Sequence, residues 1–191
     1  MVKVNLFRGE EIIASAEIPQ SWGELTYNQY MALLGQSKKP VEERSVIDLF
    51  SILSDISWEL WAESNPDSDD ILIPYIMWVY EKPVWPEWKD KPFTFKGETY
   101  KIPQINLMSL NQKTTLQREM QYCYDRTEDL MEVGPLAVAI YMQPFITKEK
   151  FDLEKARDLS KEIEIMKMDD FFPLATFFLS KSLHLLQKKM R

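Results

Sequence analysis

The chain has 191 residues, of which 45% are hydrophobic and 13% aromatic, so it can bury a core and is not a disordered protein. Its formal net charge of -7 disfavours sequence-independent binding to nucleic acid, which requires a basic face that neutralises phosphates. The same charge disfavours binding to an anionic membrane surface. With a single cysteine, Cys123, the chain cannot form an internal disulfide, which fits a reducing compartment.

The longest apolar runs do not predict a membrane span. Residues 71–80 and 171–179 each contain a proline, and both are far shorter than the roughly 20 residues that a span requires. The N-terminal residues lack the long apolar core of a signal peptide. We therefore expect a soluble protein that is present, or assembled, inside a cell.

The first predicted element is a β-hairpin. Residues 2–7 and 11–18 alternate apolar and polar side chains around Gly9, and glycine tolerates the positive φ of a turn. Pro19 ends the second strand, because proline has no N–H to donate to a ladder. Thr26 and Gln29 then form a capping box, in which the hydroxyl accepts a first-turn N–H and the glutamine reaches back to the cap residue.

Helices fill the rest of the first half. A helical stripe of apolar residues predicts an amphipathic helix: Val46, Leu49, Phe50 and Leu53. Residues 57–64 predict a short helix. Asp70 is expected to cap a helix over residues 71–80, with Pro74 in its first turn, where a missing N–H costs least.

The second half repeats this order. Residues 93–95 and 98–102 predict a shorter hairpin, and Ser109 with Gln112 predicts a second capping box. Helices are predicted over residues 109–129, 133–142, 153–166 and 171–190. The last of these helices should turn an apolar stripe inward: Phe171, Leu174, Phe178 and Leu185.

The parallel between the halves predicts an internal duplication. Four blocks align in the same order, namely FRGE (7–10) with FKGE (95–98), IPQ (18–20) with IPQ (102–104), TYNQ (26–29) with SLNQ (109–112), and DDILIP (69–74) with DDFFP (169–173). We expect a mainly α protein with small β-hairpins, of the α+β class. Its parts are a first half (1–82), a linker (83–92) and a second half (93–191).

The segment 83–92 is rich in proline and tryptophan, and it is predicted as a linker because proline disfavours both helix and sheet. A tryptophan in a loop either fills a local gap or anchors a partner. Trp85 and Trp88 are therefore candidate partner contacts, and the sequence does not decide between the two roles for them. Trp22 is a third candidate, although local packing is favoured there.

The sequence carries no motif for catalysis, cofactor binding or metal binding. Its five glycines are too far apart for a phosphate-binding loop. One cysteine and one histidine, Cys123 and His184, cannot form a zinc site, and a buried thiol with a surface imidazole is favoured over a catalytic dyad. Acidic pairs such as Asp69-Asp70 are interpreted as helix caps. We therefore expect a non-enzymatic protein, with no catalytic, cofactor or metal residues.

One stretch resembles a known group of proteins. The pattern P-x-x-W-x-E-hydrophobic-T-x-x-Q-[YF] is present at Pro19, Trp22, Glu24, Leu25, Thr26, Gln29 and Tyr30. A second pattern, GK-x-Y-x-I, is matched by Gly97, Tyr100 and Ile102, with Glu98 in place of lysine. These patterns resemble small proteins from the late structural modules of tailed bacteriophages, particularly those of Bacteroidota hosts, over roughly a third of the chain.

The resemblance implies a phage virion structural protein, forming a ring at the head–tail junction (neck) or in the tail. Its implied partners are other phage structural proteins (portal, adaptor or tail proteins) and further copies of itself, without membrane or sequence-specific nucleic acid. Its implied location is the virion, assembled in the host cytoplasm. The alternative is a tail assembly chaperone that is absent from the mature virion, and an enzyme or nuclease is the third class.

Overall fold

The computed structural model describes residues 1–64, 68–85, 92–102 and 108–189. Over these ranges it is mainly α-helical, with two small antiparallel sheets of two strands each, which confirms the predicted α+β class. The chain divides into two compact units, Met1–Val84 and Trp85–Arg191. The division falls inside the segment 83–92 that the sequence marks as a linker.

The first unit begins with a hairpin and continues with helices. Its elements are β1 (Val2–Arg8), β2 (Glu11–Ile18), α1 (Tyr27–Ser37), α2 (Val46–Ser54), α3 (Trp58–Ala62) and α4 (Ser68–Ile76). Short 3-10 turns also occur at Trp22–Glu24, Val41–Glu43 and Met77–Tyr80.

The hairpin supplies one wall of the first core. Strand β1 pairs with β2 from Val2 opposite Ile18 to Arg8 opposite Glu11, with a register shift between Leu6 and Phe7. Alternation places Val4, Leu6 and Ile18 on the buried face. Gly9 opens the turn at φ 62°, a conformation that glycine adopts without strain.

A stacked aromatic pair organises the helices of this unit. Phe50 on α2 and Trp61 on α3 stack with ring centroids 4.7 Å apart, and both side chains are buried. The Trp61 indole N–H donates to Ser54 Oγ at 3.0 Å, so its one polar atom is satisfied inside the core. Helix α3 is only five residues long, so this packing, more than helix propensity, holds it in place.

The second unit has the same opening and longer helices. Its elements are β3 (Phe93–Phe95), β4 (Glu98–Tyr100), α5 (Leu110–Thr127), α6 (Gly134–Thr147), α7 (Leu153–Ile163) and α8 (Met168–Lys189). Lys96 and Gly97 join β3 to β4, and both have positive φ, at 50° and 79°. Two consecutive residues of positive φ make the type I′ turn that suits the twist of a hairpin.

Helix α6 forms the centre of the second core. Its residues 137–143 have no exposed surface, and α7 and α8 pack against it. Tyr141 lies against Phe178, with ring centroids 4.1 Å apart, and burial raises the pKa of its hydroxyl. Gly134 begins the helix where a Cβ would lie 3.0 Å from the Phe171 ring, so the two helices meet closely at this residue.

The stretch Leu130–Thr147 has the length and composition of a membrane span, with a mean hydropathy of 1.3. Glu132 interrupts this window, so it is not one of the unbroken apolar runs considered above. More than half of it, 56%, is buried inside the protein. Because a core helix passes the same test, the window is weak evidence for a span, and the packing of α7 and α8 accounts for its composition.

Two helix starts differ from the prediction. Helix α4 begins at Ser68, which places Pro74 in the helix interior and not in its first turn. Helix α8 begins at Met168, so the acidic pair Asp169-Asp170 lies inside its first turn. The helix dipole favours carboxylates in the first turn of a helix. Each of these two helices therefore begins three residues before its predicted start and includes its acidic pair. The side chain of Leu185, predicted on the inner stripe, lies outside what the structure describes.

Both predicted capping boxes are present. Thr26 Oγ1 and Ser109 Oγ each accept the backbone N–H three residues on, at 3.2 Å. In return, the side-chain oxygens of Gln29 and Gln112 each accept the cap residue's N–H at 3.0 Å. Both glutamines are nearly buried, at 7% and 4% exposure. A glutamine in a capping box is usually at the surface of a helix end, so this burial calls for a second partner.

That partner is a carbonyl of the following helix. Gln112 Nε2 donates to the Ile140 carbonyl at 2.8 Å. In an α-helix this carbonyl would accept from residue 144, but Pro144 has no N–H, so the proline leaves it unpaired. Gln29 Nε2 donates to the Leu53 carbonyl at 3.2 Å, in the last turn of α2, where carbonyls lack helical partners. Each glutamine therefore caps the start of its own helix and also pairs a carbonyl of the next helix that lacks a helical donor.

We predict that Gln112→Leu lowers the free energy of unfolding by about 2–4 kcal/mol, because it leaves the Ile140 carbonyl and the Ser109 N–H unpaired. Gln112→Glu keeps the capping acceptor but cannot donate to Ile140, so its cost should remain above 1 kcal/mol or so. Urea unfolding followed by circular dichroism measures both. Gln121→Leu, on the exposed side of the same helix, is the matched control and should stay within about 0.5 kcal/mol of the parent.

Candidate functional site

Trp22, one of the three predicted partner contacts, is held by its own unit. Its indole N–H donates to the Glu81 carbonyl at 3.0 Å. Its ring meets Tyr30 and Trp78 edge-on, with centroids 6.1 Å and 5.5 Å away. The side chain is half-buried, as local packing requires. Trp22 therefore joins the start of α1 to the end of the first unit.

Glu24 fixes the short turn that carries Trp22. Its carboxylate accepts the Gln20 N–H at 2.8 Å and lies 3.1 Å from the N-terminal amine. Gly23 and Leu25 on either side of it are buried. These contacts fix the conformation of the turn, and they therefore fix the position of the Trp22 indole.

Beside Trp22 lies a surface pocket of about 170 Å³. We call it the Trp22 pocket. Its lining comes from the end of α1, the start of α2, and the last turn of the unit: Leu33, Leu34, Gln36, Ser37, Arg44, Ser45, Val46, Leu49, Val79 and Tyr80, together with Trp22. Most of these side chains are apolar, and Tyr80 is 69% exposed, so the pocket opens at the surface.

Two polar groups give the Trp22 pocket its chemistry. The Arg44 guanidinium donates to the carbonyls of Lys39, at 2.9 Å, and Ser37, at 2.7 Å, and so holds the loop between α1 and α2. Gln36 Oε1 is buried and has no hydrogen-bond partner among the described residues. An unpaired buried acceptor costs about 1–3 kcal/mol, so Gln36 is a local weak point of the packing beside the pocket.

The volume limits what the Trp22 pocket can bind. Sites for small-molecule ligands and cofactors usually measure about 300–1,000 Å³. At about 170 Å³, this pocket suits one side chain or one ring. A cavity of about 150 Å³ takes up a benzene molecule, which sets the scale.

A larger hollow in the second unit is of a different kind. It measures about 410 Å³ and lies between the β3–β4 hairpin and α7. Its charges are largely paired, since Lys96 contacts Glu162 at 2.7 Å and Lys155 contacts Glu149. Such exposed ion pairs are typical of a solvated surface, so this hollow offers less to a ligand than the Trp22 pocket.

Trp85 also packs within its own unit. It is half-buried, and its ring stacks on Phe172 of α8 with centroids 4.5 Å apart and planes inclined at 21°. Trp88, the third predicted contact, lies outside the described residues. The structure thus brings Trp22 to a pocket and gives Trp85 a place on α8, in a different unit.

Of the two candidate reactive groups, Cys123 and His184, the structure describes only the thiol. Cys123 is buried at 5% exposure, and its sulfur donates to the Asp129 carbonyl at 3.3 Å. The side chain of His184, its possible partner, is beyond what the structure describes. Within the described ranges, no three His, Cys, Asp or Glu side chains are grouped as a metal site requires. The thiol of Cys123 therefore serves packing at the end of α5.

Gln36 and Arg44 line the Trp22 pocket but were not among the site residues predicted from the sequence. Neither belongs to a motif: Gln36 lies in the last turn of α1, and Arg44 is held beside it by hydrogen bonds to the carbonyls of Ser37 and Lys39. The one available signal was the Ser45 cap, whose hydroxyl accepts the Ile47 N–H at 3.1 Å and starts α2. A cap fixes where a helix begins, but not which helix it then faces.

We predict that Trp85→Ala lowers the stability of the protein by about 1–2 kcal/mol, because it removes a stacked ring pair and part of the cover of α8. Trp85→Phe preserves the stack and is the matched control, with an expected loss below about 1 kcal/mol. Chemical unfolding monitored by circular dichroism provides both values. Equal, negligible losses in the two variants would contradict a packing role for Trp85 and favour its predicted role as a partner contact.

No protein-family model, curated protein or solved structure matches this chain.

Proposed function

We propose that the protein is a non-enzymatic structural protein of a tailed-phage virion, a ring-forming component of the head–tail junction or tail. The observation that carries this proposal is the Trp22 pocket, which is open, mostly apolar and sized for one protein side chain. Interfaces obtain most of their binding energy from a few side chains seated in such pockets.

The resemblance supports the proposal through the same residues. In the motif that begins at Pro19, Trp22 packs against Tyr30, Glu24 ties the turn, and Thr26 with Gln29 caps α1. Every one of these roles is structural. A motif that builds a scaffold beside a side-chain-sized pocket suits a protein whose work is to bind other proteins.

Incorporation into particles tests the role. We expect mass spectrometry of purified virions to find the protein at several copies per particle. Detection in the infected-cell lysate alone would contradict the ring proposal and support the tail assembly chaperone. A hydrolytic or nuclease activity of the isolated chain would contradict both.

A filled pocket should reduce incorporation. Leu49→Trp places a large ring inside the Trp22 pocket, where Leu49 is part of the lining, and should lower the copy number several-fold. Leu110→Trp is the matched control, since Leu110 is 73% exposed on α5, and it should leave the copy number unchanged. Circular dichroism melting of both variants checks that each is folded.

We also propose that the two units arose by duplication. In support, each has a hairpin, a capping box, and a glutamine that donates to a carbonyl of the next helix, 24 residues on in one and 28 in the other. An experimental structure tests this. The two units are compared by superposing their hairpins together with helices α1 and α5. If α2 and α6 then do not coincide, the matching sequence blocks did not arise by duplication.

A further inference from the structure

We infer that the β3–β4 hairpin is a strap over α7 that opens by itself, while α6, α7 and α8 stay folded. When the strap opens, it uncovers a groove along α7. This conformational change is independent of the proposed function. Three observations carry it: the hollows on either side of the hairpin, the weak contacts that hold the hairpin, and the firmer attachment of the hairpin in the first unit.

The strap divides one groove into two hollows. The hollow of about 410 Å³ described above has a neighbour of about 390 Å³ on the other side of the hairpin. Both hollows are lined by Phe95, Lys96 and Glu162, where the strap meets α7. Beyond the strap, their apolar lining comes from α6, α7 and the turn after α7: Ile146, Leu159, Ile165 and Met166. Opening of the strap would therefore join the hollows into one groove with an apolar floor.

A buried ring and an exposed ion pair fasten the strap. Among the hairpin side chains that the structure describes, Phe95 is the one that is buried. Lys96 Nζ lies 2.7 Å from the Glu162 carboxylate, but 65% and 43% of these two side chains are exposed, so dissolved salt weakens their attraction. Each strand has only three residues, and a two-stranded hairpin is marginally stable at best without support.

The turn of the strap adds little stability of its own. Lys96 has a φ of 50°, in the left-handed region that glycine and asparagine adopt more readily than lysine. Lysine therefore weakens the turn, and its ion pair with Glu162 offsets that cost. When salt screens the ion pair, a turn with an unfavourable residue and a single buried ring remain.

The hairpin of the first unit has the same kind of ion pair and more buried anchors. Arg8 at its turn contacts Glu63 at the end of α3, as Lys96 contacts Glu162. Its strands are seven and eight residues long, and they bury three apolar side chains: Val4, Leu6 and Ile18. We therefore expect the first hairpin to open only together with its core, which makes it an internal control for the strap.

Hydrogen exchange of the full chain, followed in ¹H–¹⁵N NMR spectra, tests the inference. The amides of β3 and β4 should exchange at least about tenfold faster than those of α6 or of β1 and β2, because local opening needs less free energy than opening of a core. Raising the NaCl concentration from about 50 mM to about 1 M should speed exchange in the strap about two- to five-fold, as the loss of one exposed ion pair implies. Exchange in α6 should not change.

Two variants separate the ion pair from the buried ring. Glu162→Gln should speed exchange of the strap about two- to five-fold at low salt and abolish its response to salt. Glu154→Gln, which removes an exposed ion pair with Arg157 on the same helix, is the matched control and should leave the strap as in the parent. Phe95→Ala should speed exchange of the strap at least about tenfold and leave the α6 amides unchanged.

Three outcomes would overturn the inference. The first is exchange of the strap amides at the rate of α6. The second is exchange of the strap that responds neither to salt nor to Glu162→Gln. The third is acceleration of the α6 and α7 amides together with the strap in Phe95→Ala, which would make the hairpin part of the core. Because exchange is measured on the isolated chain, these results do not depend on incorporation into virions.

Discussion

The structure depends on one two-sided hydrogen-bonding arrangement, used once in each unit. The side-chain oxygen of a buried glutamine at the third position of a helix accepts the N–H of the cap residue, and its side-chain nitrogen donates to a carbonyl of the next helix. A buried amide with only one side satisfied would destabilise the fold, since each unpaired polar group loses its hydration without compensation. The start of one helix and the position of the next are thereby set by one side chain.

The local half of this arrangement was predictable, and the distant half was not. Thr26 with Gln29 and Ser109 with Gln112 are readable as capping boxes because both partners lie within four residues. The sequence does not indicate which carbonyl accepts the hydrogen bond from the glutamine side-chain nitrogen. Pro144 was a usable signal in retrospect, since a proline inside an apolar helix must leave a carbonyl without its helical donor.

The candidate site follows the same division. Trp22 was a candidate because it lies beside a glycine in a short connection between elements. It packs against Tyr30, which belongs to the same sequence motif. The pocket it lines was not predictable, because Val79 comes from the far end of the unit and Arg44 from a loop without a motif. Hydrophobic periodicity indicates which face of a helix is covered, but the gaps between faces depend on how side chains from distant segments meet.

The shared glutamine also has a consequence for how each unit opens. A helix end ordinarily frays by itself, in a local fluctuation that leaves the core intact. Fraying at the first turn of α5 would release Gln112 and, with it, the carbonyl that α6 presents inside the core. Loss of the cap and loosening of the helix pair are therefore one event. The amide protons of Ser109 and Gln112, which the capping box holds, should therefore exchange with solvent at the slow rate of the core, as members of a single cooperative unit.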